Sequence, residues 1–171
     1  GVRLVGSEMC IRDSYCDECK SDREFEAGRG LCNYTDEMKH IVLKIKYDNK
    51  REYIEGFAKL MAIRYEKFIK VSNIDCIIPV PLHSSRKRMR GFNQSDILAK
   101  YLSKYLDLPV FFDCLCRVKK TKDQKGLNRT ERLHNLDNAF TVKKMRKNLK
   151  NVLIVDDVYT TCLLYTSDAA D

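Results

Sequence analysis

Apolar residues change their spacing several times along this chain, and each change predicts an element. From Thr35 the pattern is helical: Thr35 suits a helix N-cap, Asp36 and Glu37 suit the positive end of the helix dipole, and Ile41, Leu43 and Ile45 give a partly apolar face. In REYIEGFAKLMAIRYEKFIK, residues Ile54, Phe57, Leu60, Met61, Tyr65 and Phe68 recur at three- and four-residue steps. That spacing predicts a second helix whose stripe serves the core, with the intervening Lys and Arg on a solvated face. IDCIIPVPL then reads as a near-continuous apolar strand from Ile74 to Val80, of the kind buried on both faces of a parallel sheet, and its prolines end it. Asn93 caps the following helix, with Asp96 near its third position and Ile97, Leu98, Tyr101, Leu102, Tyr105 and Leu106 as its buried stripe. A short strand from Pro109 to Phe112 returns to the sheet. After a long polar, basic stretch, Phe140 to Val142 predicts a short strand and Asn151 to Val155 a central one. Strand, helix and further strands in this order argue an α/β sheet.

Length and composition narrow this picture only modestly. A chain of 171 residues holds one main domain with a small appended module at most, and 44% hydrophobic with 33% charged residues is globular rather than disordered composition. No apolar run approaches the roughly 20 residues of a membrane span, and the N-terminus lacks the succession of a signal peptide, so the expected location is cytoplasmic. The formal charge of +8 is permissive for polyanions, but proteins that bind only small phosphates carry such charge too. Eight cysteines, at 10, 16, 19, 32, 76, 114, 116 and 162, come without a secretory signal and read as reduced thiols. Cys16-x-x-Cys19 has the spacing with which two thiolates grip zinc, yet it supplies half a site. Cys10, Cys32 and His40 are the remaining candidate ligands, and the alternative is a pair of reduced surface cysteines. Cys76, Cys114 and Cys116 read as small core or surface thiols.

The chemistry gathers at two strand ends, where open parallel sheets hold their ligands. PVPLHSSRKRMRGFNQ crowds Arg86, Lys87, Arg88 and Arg90 just past Pro79 and Pro81. VLIVDDVYTTC runs four aliphatic residues into Asp156 and Asp157, then into Thr160 and Thr161. Two successive carboxylates resist joint ionisation and need partners, which a sugar diol or a divalent cation would supply. Hydroxyls and amides a few residues later suit a phosphate, because successive N–H groups in a turn form an anion-binding nest. Ribose followed by a 5-phosphate fits that order of needs. His83 is a candidate for phosphate contact or proton transfer, against an incidental loop histidine without a carboxylate partner.

These residues resemble a known family. VLIVDDVYTT is similar to the ribose-phosphate signature of type I phosphoribosyltransferases, and IIPVPLHSSRKRMRGFNQSDILAK with TKDQKGLNRTERLHNLDNAF resembles the ComF family of amidophosphoribosyltransferase-like proteins, over roughly residues 16 to 161. The resemblance implies a parallel sheet flanked by helices over residues 34–161, preceded at 15–33 by the remnant of a zinc ribbon held through Cys16 and Cys19. Asp156 and Asp157 would hold the ribose hydroxyls of phosphoribosyl pyrophosphate or another ribose phosphate. Val158, Tyr159, Thr160 and Thr161 would open the 5-phosphate loop, while Pro81, Leu82 and His83 with Arg86, Arg88 and Arg90 would occupy the pyrophosphate loop. The basic segment Lys119 to Asn135 would be a lid, with Arg129 or Arg132 touching phosphate through the guanidinium fork. Mg²⁺ and fixed cations would stabilise the departing pyrophosphate, and a closed lid would keep water from capturing the sugar.

The chain also departs from the pattern. Where the family continues with glycine, a small residue and threonine, this chain reads CLLYTSDAAD, and cysteine lacks the backbone freedom glycine gives such a loop. Residues 1–14 and 162–171 resemble translated adapter read-through and are set aside as non-native, so the chain as written is expected to be poorly stable or inactive. Two functions are implied: a Mg²⁺-dependent phosphoribosyltransferase with an unknown acceptor, or a non-catalytic nucleic-acid-binding accessory of competence and DNA uptake, acting with DNA or competence proteins.

Overall fold

Helix α1, Asp36–Tyr47, begins where its cap predicts, with the Thr35 hydroxyl accepting from Met38 N at 3.4 Å. A computed structural model of the chain describes residues 29–32, 35–118, 139–143 and 149–158. Of the expected face of α1, Ile45 is buried and Ile41 and Leu43 are half-buried, while Val42 and Lys46 are buried beside Ile45. Helix α2, Glu52–Val71, buries Ile54, Ala58, Met61, Ala62 and Ile69, whereas Leu60 is 56% exposed and leaves the expected stripe. The reason is packing against a later helix, α4 (Gln94–Leu106), through small residues: Ala58 and Ala62 on one side and Ala99 on the other share one core with Leu98 and Leu102. Alanine marks such a contact poorly in a search for large apolar residues, so the stripe was drawn about one position off.

Strand β1, Cys76–Pro79, precedes the short helix α3, Ser84–Arg90, and then α4; β2 is Leu115–Arg117, β3 Phe140–Val142 and β4 Val152–Val155. β1 and β4 pair in parallel, with Cys76 opposite Val152 and Pro79 opposite Val155. On the other side of β1 the expected strand at 109–112 is reduced to one parallel bridge, Ile77 to Val110. There Ile77 N donates to Pro109 O at 2.9 Å and Phe111 N to Ile77 O at 3.0 Å. Among the described residues β1 is therefore flanked on both sides and β4 on one. β2, which the apolar pattern did not announce, pairs antiparallel with β3.

The expected two-sided burial of β1 is what the structure has. Because strand side chains alternate, Ile77 joins the helical core with Val155 and Leu102, while Cys76 and Ile78 face a second cluster with Cys114. Cys76 and Cys114 are buried free thiols, and burial raises the Cys76 pKa, which suits a core thiol rather than a nucleophile.

Both ends of the β1–β4 pair are tied by side chains. At the N-terminal ends, one Asp75 carboxylate oxygen accepts from Lys150 N at 2.7 Å and Asn151 N at 2.8 Å, and Asn151 Nδ2 donates to Ser72 O at 3.1 Å. At the C-terminal ends, Asn93 caps α4, as the sequence predicts, and its Nδ2 donates to Val80 O at 2.9 Å and Asp96 Oδ1 at 2.8 Å. The register is thus tied by side chains at the N-terminal end, and α4 is anchored to the C-terminal end of β1.

Two outcomes test this architecture. Leu102→Ala should lose about 2–5 kcal/mol of unfolding free energy in urea titrations, because Leu102 is 1% exposed, whereas Leu60→Ala should stay within about 0.5 kcal/mol. The backbone N–H groups of Asn151 and Lys150 hold the Asp75 carboxyl below its ordinary value of 3.8, so its contribution is present above that value and is lost as pH falls through the lowered one. Asp75→Asn should therefore lower the thermal midpoint at neutral pH, and the difference from the parent chain should shrink in acid below pH 3.8.

Candidate functional site

The parallel register delivers both sequence motifs to one rim. Val80 N donates to Val155 O at 2.9 Å, extending the ladder to the residue before Asp156 and the residue before Pro81. From there Pro81, Leu82 and His83, all half-buried, lead into α3. His83 caps that helix: its Nδ1 accepts from Ser85 N at 3.3 Å and lies 2.8 Å from Ser85 Oγ. Its ring therefore has a structural task that a free loop histidine lacks. Arg86 is half-buried and Arg88 exposed. Lys87 Nζ lies 3.3 Å from Asp96 Oδ2, a surface pair worth about 0–1 kcal/mol. Arg90 donates to Tyr47 Oη at 3.3 Å and places its guanidinium 5.3 Å from the centre of the Tyr47 ring. Helix α3 ends at Gly91, whose φ of 77° explains a glycine there.

On the other side of the rim, Asp156 is 6% exposed and its Oδ1 accepts from Ser95 Oγ at 3.0 Å and from Asp157 N at 2.8 Å. Burying a carboxylate without such donors would be prohibitive. Ser95 sits in the first turn of α4, so the helix capped by Asn93 also holds the acidic pair. Asp157 is half-buried, and its Oδ2 lies 3.6 Å from Lys46 Nζ, whose side chain is only 2% exposed. Desolvating that ammonium costs several kcal/mol, which requires an opposite charge close by. Val158 is 1% exposed and belongs to the helical core.

A cavity of about 40 Å³ adjoins Asp157, walled by Val42, Ile45, Ile54, Phe57 and Leu98, with Gln94 at its polar edge. Among the described residues the buried Gln94 Nε2 has no hydrogen-bond partner, which leaves it as a donor for an oxygen acceptor inside that space. The volume suits a few waters rather than a large ring.

Of the residues singled out in the sequence, Asp156, Asp157, Pro81, Leu82, His83, Arg86, Arg88 and Arg90 lie at this rim. Tyr159, Thr160, Thr161, Arg129, Arg132, Cys16 and Cys19, with the segment 119–135, lie outside the described residues. Ser95, Lys46 and Tyr47 were missed. Ser95 follows a visible cap, but its partner stands 61 positions away. Lys46 was one lysine among many; the available hint was its place beside Val42 and Ile45 on an apolar face.

Comparison with known proteins gives the same direction. The chain is 33% identical over 162 residues to Competence protein F of Haemophilus influenzae, covering 91% of this chain and 71% of that protein. It is 33% identical over 134 residues to DNA utilization protein YhgH of Salmonella typhimurium and 29% identical over 151 residues to Competence protein ComFC of Bacillus subtilis. Of those two relatives it spans 59% and 60%, respectively. No family model matches the chain, and no solved structure matches it. With a third of its residues shared across most of its length, the chain belongs to the ComF family.

Proposed function

We propose that the rim binds phosphoribosyl pyrophosphate and that the protein is a phosphoribosyltransferase-like member of its family, transferring the phosphoribosyl group to an acceptor whose identity is open. The observation that carries the reading is the register of Pro79 against Val155, because it starts the Pro81–Arg90 segment and the acidic pair from neighbouring strand ends. A sugar diol needs fixed acceptors and Asp156 is fixed, by Ser95 and by the Asp157 amide. A diphosphate needs cations on the adjacent side, and Arg86 and Arg88 stand on α3.

Mg²⁺ in this reading belongs to the substrate, where it would neutralise the leaving pyrophosphate. The chain's own part is to bind, orient and shield the sugar phosphate; among the described residues no group of three or more His, Cys, Asp or Glu is gathered. A zinc ribbon at 15–33 and a cytoplasmic setting complete the proposal. Among the described residues no helix is long and apolar enough to cross a membrane.

The alternative is a DNA-binding accessory role. It is favoured by the names of the relatives, Competence protein F and DNA utilization protein YhgH, and by the formal charge of +8.

Calorimetric titration separates the two. In a full-length family member whose 5-phosphate loop carries the glycine, phosphoribosyl pyrophosphate with Mg²⁺ should bind, and asparagine in the place of Asp156 or of Asp157 should each weaken binding at least about tenfold. No binding by that full-length protein would sink the transferase reading. DNA binding that falls steeply with salt and ignores both substitutions would support the accessory role.

A further inference from the structure

Helix α1 buries three residues, and the third is Lys46 beside the aliphatic Val42 and Ile45. Its ammonium lies 3.6 Å from Asp157 Oδ2. Two carboxylates at a strand end could serve a divalent cation or a pair of hydroxyls, and this lysine distinguishes them. A cation bound to Asp157 would sit about 2.0–2.6 Å from a carboxylate oxygen, hence within a few ångströms of a fixed positive charge in a water-poor place. A hydroxyl is neutral and meets no such repulsion. Asp156 Oδ1 already accepts from Ser95 Oγ and Asp157 N, so neither carboxylate stands as a bare anion awaiting a metal.

We infer that Lys46 is a positioning residue: it holds the Asp157 carboxylate for neutral hydroxyl donors and turns the acidic pair away from divalent cations. The inference rests on the ribose-phosphate reading for its ligand and goes beyond it in assigning selectivity to a helix remote in sequence from both motifs.

The test uses Mn²⁺ alone as probe, followed by electron paramagnetic resonance on the 171-residue chain. The parent and Lys46→Arg should bind Mn²⁺ weakly and alike, while Lys46→Met and Lys46→Gln should bind at least about tenfold tighter, a gain that adding Asp157→Asn removes. Neutral variants that bind Mn²⁺ no tighter than the parent overturn the inference. Thermal unfolding checks each variant, and Lys46→Gln carries the comparison should Lys46→Met fail to fold. In the full-length family member, phosphoribosyl pyrophosphate with Mg²⁺ should bind the Lys46→Met equivalent at least about tenfold more weakly and the Lys46→Arg equivalent nearly as the parent. Equal binding to Lys46→Met rejects the role of Lys46 while leaving the ribose-phosphate reading standing. Absence of binding to the parent rejects that reading, and the Mn²⁺ comparison still judges the lysine.

Discussion

A parallel pair of four-residue strands, β1 against β4, sets where everything else in the molecule can act. Antiparallel pairing would have sent the segment after β1 and the segment after β4 to opposite edges of the sheet. Parallel pairing, with Pro79 opposite Val155, sends both to the same edge. Such a short ladder has few hydrogen bonds of its own. Its register rests on the burial of β1 from both faces and on Asp75, Asn151 and Asn93, which tie the strand ends to each other and to the flanking helices. The same residues that stabilise the sheet thus determine which side chains meet.

The rim also shows how buried charge is tolerated in a modest domain. Asp156 is held by a hydroxyl and an amide that act as a fixed substitute for water. Asp157 faces an ammonium delivered by a helix whose other inward residues are aliphatic. Ion pairs of this kind add little net stability over an apolar contact of equal size, because each charge first loses its hydration.

Much of the fold was legible because its signals are local. The Thr35 and Asn93 caps, the apolar run ending at Pro79 and Pro81, and the aliphatic run before Asp156 each state their element within a few residues. What was not legible depends on contacts between distant segments. The true face of α2 follows from alanines packed against α4, and β2 exists through its partner β3. In the candidate site the acidic pair and the arginine-rich turn announce themselves by composition, while Ser95 and Lys46 acquire meaning only when α1 and α4 are brought to the end of β4. His83 shows the converse: a residue with a suggestive chemistry proves to cap a helix.

Lys46 and Tyr47 are consecutive, yet one reaches the acidic strand end and the other the arginine at the end of α3. One helical turn therefore staples the two halves of the rim together. Since each residue rotates a helix by about 100°, an insertion or deletion between Thr35 and Lys46 would swing both side chains away at once. The spacing from the start of α1 to its end is thereby a ruler for the rim, and length polymorphism in that helix should be the change that relatives sharing this arrangement tolerate least.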